Sequence, residues 1–152
     1  MDVAYQWTNG SDPAFQRFYA VTEAYYSRIV GGEEKRRAFV PCNASAEIPD
    51  AVIAYCGDQA VGCAGLKRYS ETDAEIKRLW VEPGFRRRRI ATALMDRAEE
   101  KAKQMGFRRV ILQTRPIMPA AVALYVKRGY RQIPNYPPYD RLAGAVCFAK
   151  AL

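Results

Sequence analysis

The chain has 152 residues, of which 49% are hydrophobic and 26% charged, a balance typical of a soluble globular domain. It has no apolar run near the ~20 residues that a membrane-spanning helix needs, and residues 1–10 lack the features of a secretory signal. It also has no histidine, which excludes Ser-His-Asp and Cys-His nucleophilic systems and removes the commonest metal ligand.

The four cysteines do not have the spacing of a metal site: Cys42, Cys56, Cys63 and Cys147. Three of them lie in apolar surroundings, which favours reduced structural thiols over a disulfide framework. We therefore expect a cytoplasmic protein without a bound metal, in which residues 1–152 form one domain.

The net charge of +8 is unevenly distributed. Residues 75–131 hold 15 Lys or Arg and 5 Asp or Glu, whereas the rest of the chain is slightly acidic. A cluster of this kind predicts a polyanionic partner for this half of the chain. A nucleic acid and a nucleotide cofactor would both satisfy it.

The first half of the chain predicts a helix followed by a hairpin. An aromatic face at helical spacing predicts a helix over residues 13–30, with Asp12 as its N-cap and Gly31-Gly32 at its end. Residues 33–50 have no regular pattern. Residues 51–56 and 60–69 then predict two antiparallel strands joined by a turn.

The second half predicts a strand-helix-strand unit. Residues 75–81 favour a strand, apolar residues four apart predict a helix over 90–105, and 108–113 favour another strand. This order requires a parallel pair with a right-handed crossover. The remaining predicted elements are a helix at 119–129, a short strand at 130–133, a proline- and tyrosine-rich loop and a last strand at 145–149.

Four consecutive arginines, residues 86–89, lie in the turn between the strand and the helix of this unit. A helix N-terminus presents unpaired backbone N–H groups and the positive end of the helix dipole. An arginine run can also be a solvated face or a nucleic-acid patch. Its position here favours a site for phosphate or pyrophosphate.

Three segments in this order resemble the GNAT superfamily of acetyl-CoA-dependent N-acetyltransferases, over residues 51–152. They are the strand at 74–81, the loop at 86–91 in place of the family's Q/R-x-x-G-x-G/A, and residues 121–130, which are similar to A-x-x-L-Y-x-x-x-G-F/Y. The resemblance implies a mixed α/β fold: a central sheet of six to seven strands, about four flanking helices, and the parallel pair at the cofactor site.

The resemblance further implies direct transfer of an acetyl group from acetyl-CoA to an amine. A bulge at Leu79 would turn an N–H towards the thioester oxygen. Backbone groups of one strand would bind the pantetheine arm: Leu79, Trp80 and Val81. The loop and helix start would bind the pyrophosphate: Arg86, Arg87, Arg88, Arg89, Ile90, Ala91 and Thr92.

Two residues are the implied catalytic pair: Glu75 as general base and Tyr125 as general acid. Without a bulge, Glu75 would share a strand face with Lys77, Leu79 and Val81. The alternatives are a surface carboxylate paired with a neighbouring cation, Lys77 or Arg68, and a tyrosine that only fills the core. Two loop tyrosines are expected to border the acceptor site unless they form a rigid surface turn: Tyr136 and Tyr139.

The chain departs from the family pattern at three positions. Arg87 and Arg89 replace glycines, whose freedom at positive φ lets the backbone approach phosphate, and Met118 replaces an asparagine that contacts the cofactor in many relatives.

Two rival hypotheses are an acyl-CoA sensor without catalysis and a basic nucleic-acid-binding module. Nucleic acid is not the expected partner because the chain lacks a recognition-helix, zinc or RNP-type signature. The acceptor amine and a homodimer are left open.

Overall fold

The computed structural model describes residues 2–29, 47–115 and 119–152. The predicted helix end at Gly31-Gly32, the irregular segment up to residue 46 and Met118 lie outside the described residues. The described ranges contain seven strands and three α-helices, in this order: β1 (Val3–Thr8), α1 (Pro13–Ile29), β2 (Asp50–Cys56), β3 (Gln59–Arg68), β4 (Asp73–Val81), α2 (Ile90–Gln104), β5 (Arg109–Thr114), α3 (Pro119–Lys127), β6 (Arg131–Ile133) and β7 (Val146–Ala151).

The strands form one sheet in the order β1-β2-β3-β4-β5-β7-β6. Only the pair β4 and β5 is parallel, as the α2 crossover between them requires. All the other described pairs are antiparallel. The predicted mixed sheet with one parallel pair is therefore confirmed.

Strand β1 was not among the predicted elements. It pairs antiparallel with β2, from Val3 opposite Cys56 to Thr8 opposite Ala51. Its alternate residues Val3, Tyr5 and Trp7 pack against the apolar cluster beneath α2. The two-residue alternation that defines a half-buried strand is thus present in the sequence.

Helices cover both faces of the sheet. Helices α2 and α3 lie on one face, where Met95 of α2 and Tyr125 of α3 belong to the same buried cluster. Helix α1 packs on the opposite face through Phe15 and Phe18, which are both 1% exposed. It begins where predicted, because the Ala14 N–H donates to the Asp12 carboxylate at 2.8 Å.

The parallel pair is short and its strands then separate. The β4–β5 register contains Asp73 opposite Arg109, Ala74 opposite Val110 and Glu75 opposite Ile111, and no later pair. Beyond Glu75, β4 continues to pair with β3, and β5 continues to pair with β7. Residues 76–81 therefore have a strand partner on one side only within the described sheet, which leaves main-chain groups of β4 facing a wedge. We call this space the β4–β5 wedge.

Within the part of the chain that the structure describes, no helix is long and apolar enough to cross a membrane.

Candidate active site

The arginine turn keeps a backbone conformation that normally favours glycine. Arg87 has φ 64° and Arg89 has φ 61°, both in the left-handed region. An L-residue with a Cβ loses about 1–2 kcal/mol there. The resemblance leads us to expect glycine at both positions, so the loop retains a glycine-type turn and adds two exposed cationic side chains.

Helix α2 starts directly after this turn, with Arg89 as its N-cap. No side chain caps it, and the first intrahelical bond runs from the Ala93 N–H to the Arg89 carbonyl at 3.0 Å. Backbone N–H groups of the first turn, from Ile90 to Thr92, precede any intrahelical partner. With the positive end of the helix dipole, they form an anion-binding helix start.

The side chain of Arg86 contacts strand β4. Its Nε donates to the Val81 carbonyl at 2.9 Å, and its guanidinium lies 4.8 Å from the centre of the Trp80 ring. Arg86 therefore fixes the end of β4. The exposed side chains of the next three residues, Arg87, Arg88 and Arg89, give the turn its positive surface charge.

Strand β4 contains a bulge beside the wedge. Lys77 pairs with Gly65 and Trp80 pairs with Cys63, so Arg78 and Leu79 together oppose the single residue Ala64. Arg78 has φ 60°, the left-handed conformation of a bulged residue. The expected bulge at Leu79 is therefore present and also includes Arg78.

This bulge changes which side chains share a face of β4. Glu75 and Lys77 lie on the face that carries the 134–145 loop, where their hydrogen-bond partners are. Leu79 and Val81 pack instead with the clusters under α2. The four residues were expected to share one face only without a bulge. Because the bulge is present, its extra residue resets the two-residue alternation.

Glu75 is buried at the point where β4 and β5 separate. It belongs to the last parallel register pair and is 3% exposed. The Tyr136 hydroxyl donates to its Oε2 at 2.7 Å. Glu75 is thus not a surface carboxylate, and Arg68 turns elsewhere, over the Phe107 ring at 4.6 Å.

Tyr136 is a neutral donor to this carboxylate. Burial raises the pKa of Tyr136, and the nearby negative charge of Glu75 raises it further. Its ring packs edge-to-face on Tyr69 and Tyr139, with centroids 4.8 and 5.5 Å away. The three rings hold the loop against the sheet face that carries Glu75.

Lys77 forms a second buried polar contact on the same face. Its Nζ donates to the Tyr139 hydroxyl at 3.0 Å, and the residues are 8% and 1% exposed. Both predicted acceptor-site tyrosines therefore contact side chains of β4. The sequence predicted Lys77 only as a possible ion-pair partner of Glu75 and did not predict the contacts of Tyr69, because these contacts depend on how a distant loop folds back.

Tyr125 lies on the other face of the sheet, in the cluster under α2 and α3. It is 7% exposed, and its ring centre is 5.9 Å from that of Tyr130 and 6.3 Å from that of Phe148. Leu79 packs against the same cluster. The structure thus places Tyr125 and Glu75 on opposite faces, with the β4–β5 wedge between the separating strands.

A split parallel pair leading to an anion-binding helix start defines a class of fold that can hold an extended, phosphate-bearing ligand. Comparison with known families identifies it: a family described as the acetyltransferase (GNAT) family matches residues 10–130. The chain belongs to this family. The expected fold is confirmed, with three of the expected helices inside the described ranges.

Related proteins match parts of this chain. An IAA acetyltransferase from Azospirillum brasilense is 29% identical over 89 residues, which is 58% of each chain. A protein called probable N-acetyltransferase 14 from Xenopus tropicalis is 33% identical over 81 residues, or 53% of this chain and 39% of that protein. The chain thus matches about half the length of these relatives.

Solved structures share the whole fold. The PaiA N-acetyltransferase from Thermoplasma acidophilum, crystallised in complex with coenzyme A, has a TM-score of 0.75 to this chain at 16% identity, and each chain is covered completely.

In the described ranges of the present chain, no three side chains are grouped as a metal site.

Proposed function

We propose that this protein is an N-acetyltransferase that moves an acetyl group from acetyl-CoA directly to an amine. The observation that carries the proposal is the β4–β5 wedge, which opens after Glu75 and leads to the start of α2. Family membership supports this assignment. In the same proposal, residues 1–152 act as one domain in the cytoplasm, with no nucleic acid, membrane or metal involved.

We infer the cofactor-binding residues from the main chain around the wedge and from the family resemblance. The free edge of β4 at Leu79, Trp80 and Val81 would bind the pantetheine arm as an added strand would. The Val81 carbonyl already accepts one hydrogen bond, from Arg86, which leaves it one further acceptor position. Backbone N–H groups of residues 87–92 would bind the pyrophosphate, and the exposed side chains of Arg87, Arg88 and Arg89 would add charge-assisted hydrogen bonds.

The reaction needs two proton movements. The nitrogen of the acceptor attacks the thioester carbonyl, a C–N bond forms, and the C–S bond breaks. The proton of the amine passes to Glu75, directly or through a water, and the departing thiolate takes a proton from Tyr125. Glu75 and Tyr125 lie on opposite faces of the sheet, so the base and the acid would each reach a different substituent of the tetrahedral carbon, the amine nitrogen and the sulfur.

Tyr136 and Tyr139 would border the acceptor site. Both lie over the face that carries Glu75, and Tyr136 donates to the proposed base. Lys77 belongs to the same surface through Tyr139. We infer that the amine approaches Glu75 from the side of this loop.

Two probes test the cofactor assignment. Acetyl-CoA should bind, and at 100 times its Kd it should raise the free energy of unfolding by about 2.7 kcal/mol. Acetyl-pantetheine, which lacks the phosphates, should bind much more weakly because the arginine turn and the helix start lose their ligand. Absence of acetyl-CoA binding at high micromolar concentration would contradict the proposal.

Catalysis is tested separately from binding. An amine panel should release free coenzyme A thiol in the presence of the protein, as measured with a thiol reagent. Binding of acetyl-CoA without transfer to any amine of a broad panel would favour the acyl-CoA sensor. The replaced loop glycines, which prompted that alternative, do not by themselves favour it, because Arg87 and Arg89 keep the glycine-type conformation.

A further inference from the structure

Arg78 is a buried cation at a backbone position whose positive φ favours glycine. It occupies the β4 bulge with φ 60°, and its side chain is 4% exposed. Left-handed backbone outside glycine persists where the surrounding structure holds it in place. The contacts of Arg78 show what holds this bulge.

The side chain of Arg78 binds helix α1 through three contacts. Its Nη2 donates to Glu23 Oε1 at 2.6 Å, and its Nη1 donates to the Thr22 hydroxyl at 3.3 Å. The guanidinium also lies 4.1 Å from the centre of the Tyr19 ring. We call Glu23, Thr22 and Arg78 the α1 clamp.

The main chain of the bulge is held from β3. The Cys63 thiol donates to the Arg78 carbonyl at 3.3 Å, and burial raises the pKa of this thiol, which keeps the proton that it donates. The two glycines of this stretch make room for β4. A Cβ at Gly62 would lie 2.9 Å from the Trp80 carbonyl, and one at Gly65 would lie 3.2 Å from the Lys77 carbonyl.

We propose that Arg78 is a positioning residue for acetyl transfer. The α1 clamp and Cys63 fix the bulge, and the bulge presents the Leu79 N–H to the oxygen of the thioester. The inference rests on the proposed function. It adds that α1, through Glu23 and Thr22, controls how strongly that carbonyl is polarised.

The test measures the carbonyl itself. Acetyl-CoA labelled with ¹³C at the carbonyl is bound to the protein, and its stretching band is read by isotope-edited infrared spectroscopy. In the unaltered protein the band should move to lower frequency than in free acetyl-CoA. In Glu23→Gln and Arg78→Gly this displacement should fall to less than half, while the Kd for acetyl-CoA changes by less than twofold.

Matched variants separate positioning from stability. Arg78→Gly keeps a residue that tolerates positive φ and removes the side chain that forms the clamp. Cys63→Ser retains a donor to the Arg78 carbonyl and should keep the band, whereas Cys63→Ala should lose part of the displacement. Arg109→Gln breaks the Asp73–Arg109 ion pair, 2.8 Å long at the other end of β4, and should leave the band unchanged.

The outcomes are distinct. If the unaltered protein shows the displaced band and both clamp variants match it, Arg78 does not position the bulge and the inference is overturned. If the unaltered protein does not bind acetyl-CoA, the proposed function fails and this inference fails with it. Should Arg78→Gly not fold, as judged by circular dichroism, Glu23→Gln and Cys63→Ala decide the question.

Discussion

Glu75 and Tyr136 meet although 61 residues separate them in the chain. The hydroxyl of Tyr136 both orients the carboxylate and occupies one of its acceptor positions. A buried carboxylate held in this way, at the point where two strands separate, is suited to receive a proton from a bound amine.

Replacing Glu75 by Gln should therefore lower kcat at neutral pH by about 100-fold or more, because general-base catalysis typically contributes that much. The Kd for acetyl-CoA should change little, since Glu75 lies on the side that we propose for the acceptor. Steady-state kinetics and calorimetry measure the two quantities. Glu71→Gln, at an exposed turn, is the matched control, and an unaltered kcat in the Glu75 variant would remove this residue from its role.

Tyr136 should also influence stability at high pH. Burial and Glu75 raise the pKa of Tyr136 above its ordinary value of 10.0. Its contribution to stability is therefore complete below pH 10 and is lost as the pH rises further, because the unfolded chain releases the proton and the folded protein retains it. For one such tyrosine the slope is about 1.4 kcal/mol per pH unit.

Tyr136→Phe should remove this contribution to the decrease of the free energy of unfolding with pH above pH 10. Urea unfolding at a series of pH values from 9 to 11 measures it. Tyr69→Phe is a milder control, since Tyr69 is 36% exposed. If the free energy of unfolding of the variant fell with pH in parallel to that of the unaltered protein, the raised pKa of Tyr136 would be contradicted.

At the arginines with a left-handed backbone, a substitution by glycine should raise the free energy of unfolding rather than lower it. Arg89→Gly should stabilise the protein by about 0.5–1 kcal/mol, because relief of about 1–2 kcal/mol of strain exceeds the extra flexibility of the unfolded chain. Arg88→Gly should destabilise it, since Arg88 lacks a positive φ. The same Arg89 variant should bind acetyl-CoA more weakly if the guanidinium contacts phosphate. Unfolding midpoints and calorimetry distinguish these effects.

Residue identities predicted some of the site and not the rest. The arginine turn stands in a local strand-to-helix pattern, whereas Glu75 and Tyr125 were put forward by the resemblance to the GNAT superfamily. The roles of Glu75 and Tyr125 remain predictions. The Glu75–Tyr136, Lys77–Tyr139 and Arg78–Glu23 contacts could not be predicted, because each joins residues more than 50 positions apart.

At the scale of elements, Arg128 connects α2 with the chain that follows α3. Its guanidinium donates to the Thr92 carbonyl at 3.4 Å, to Asp96 at 2.7 Å and to Glu99 at 3.0 Å, all along one side of α2. Its backbone N–H donates to the Tyr125 carbonyl at 3.1 Å. The helix start at the arginine turn and the helix of the proposed acid are thus joined by one side chain.

Arg128→Met should lower the free energy of unfolding by about 2–3 kcal/mol, because hydrogen bonds to charged groups contribute about 1.5–3 kcal/mol and Glu99 is largely buried. Asp96→Asn should cost less than about 1 kcal/mol, since the Asp96 side chain is 65% exposed. Urea denaturation measures both. Equal effects in the two variants would show that burial does not determine the strength of this contact.

Elements with strong local signals were predicted well. The hairpin, the strand-helix-strand unit and α1 have turn residues, caps and periodicity in a short window, and all three are confirmed. Strand β1 was missed although Val3, Tyr5 and Trp7 alternate, because six residues before a helix give a weak pattern without knowledge of β2. The β4 bulge was expected only from the resemblance, and its effect on side-chain direction required the register with β3.

For the whole molecule, the charge distribution agrees with the architecture. The basic residues between 75 and 131 belong largely to β4, the arginine turn, α2 and the segment up to β6. The arginine turn follows the end of β4, whereas Lys101 pairs with Asp50 and Arg128 pairs with Asp96 and Glu99. The exposed cations of the turn therefore agree with the phosphate-bearing cofactor that we propose.

A crystal structure of the protein with bound coenzyme A would locate the cofactor. We predict the pyrophosphate within hydrogen-bond distance of backbone N–H groups in residues 87–92, and the pantetheine arm along the free edge of β4 between residues 76 and 81. A nucleotide bound elsewhere, or a helix start filled by the guanidinium groups of its own arginines, would contradict this prediction.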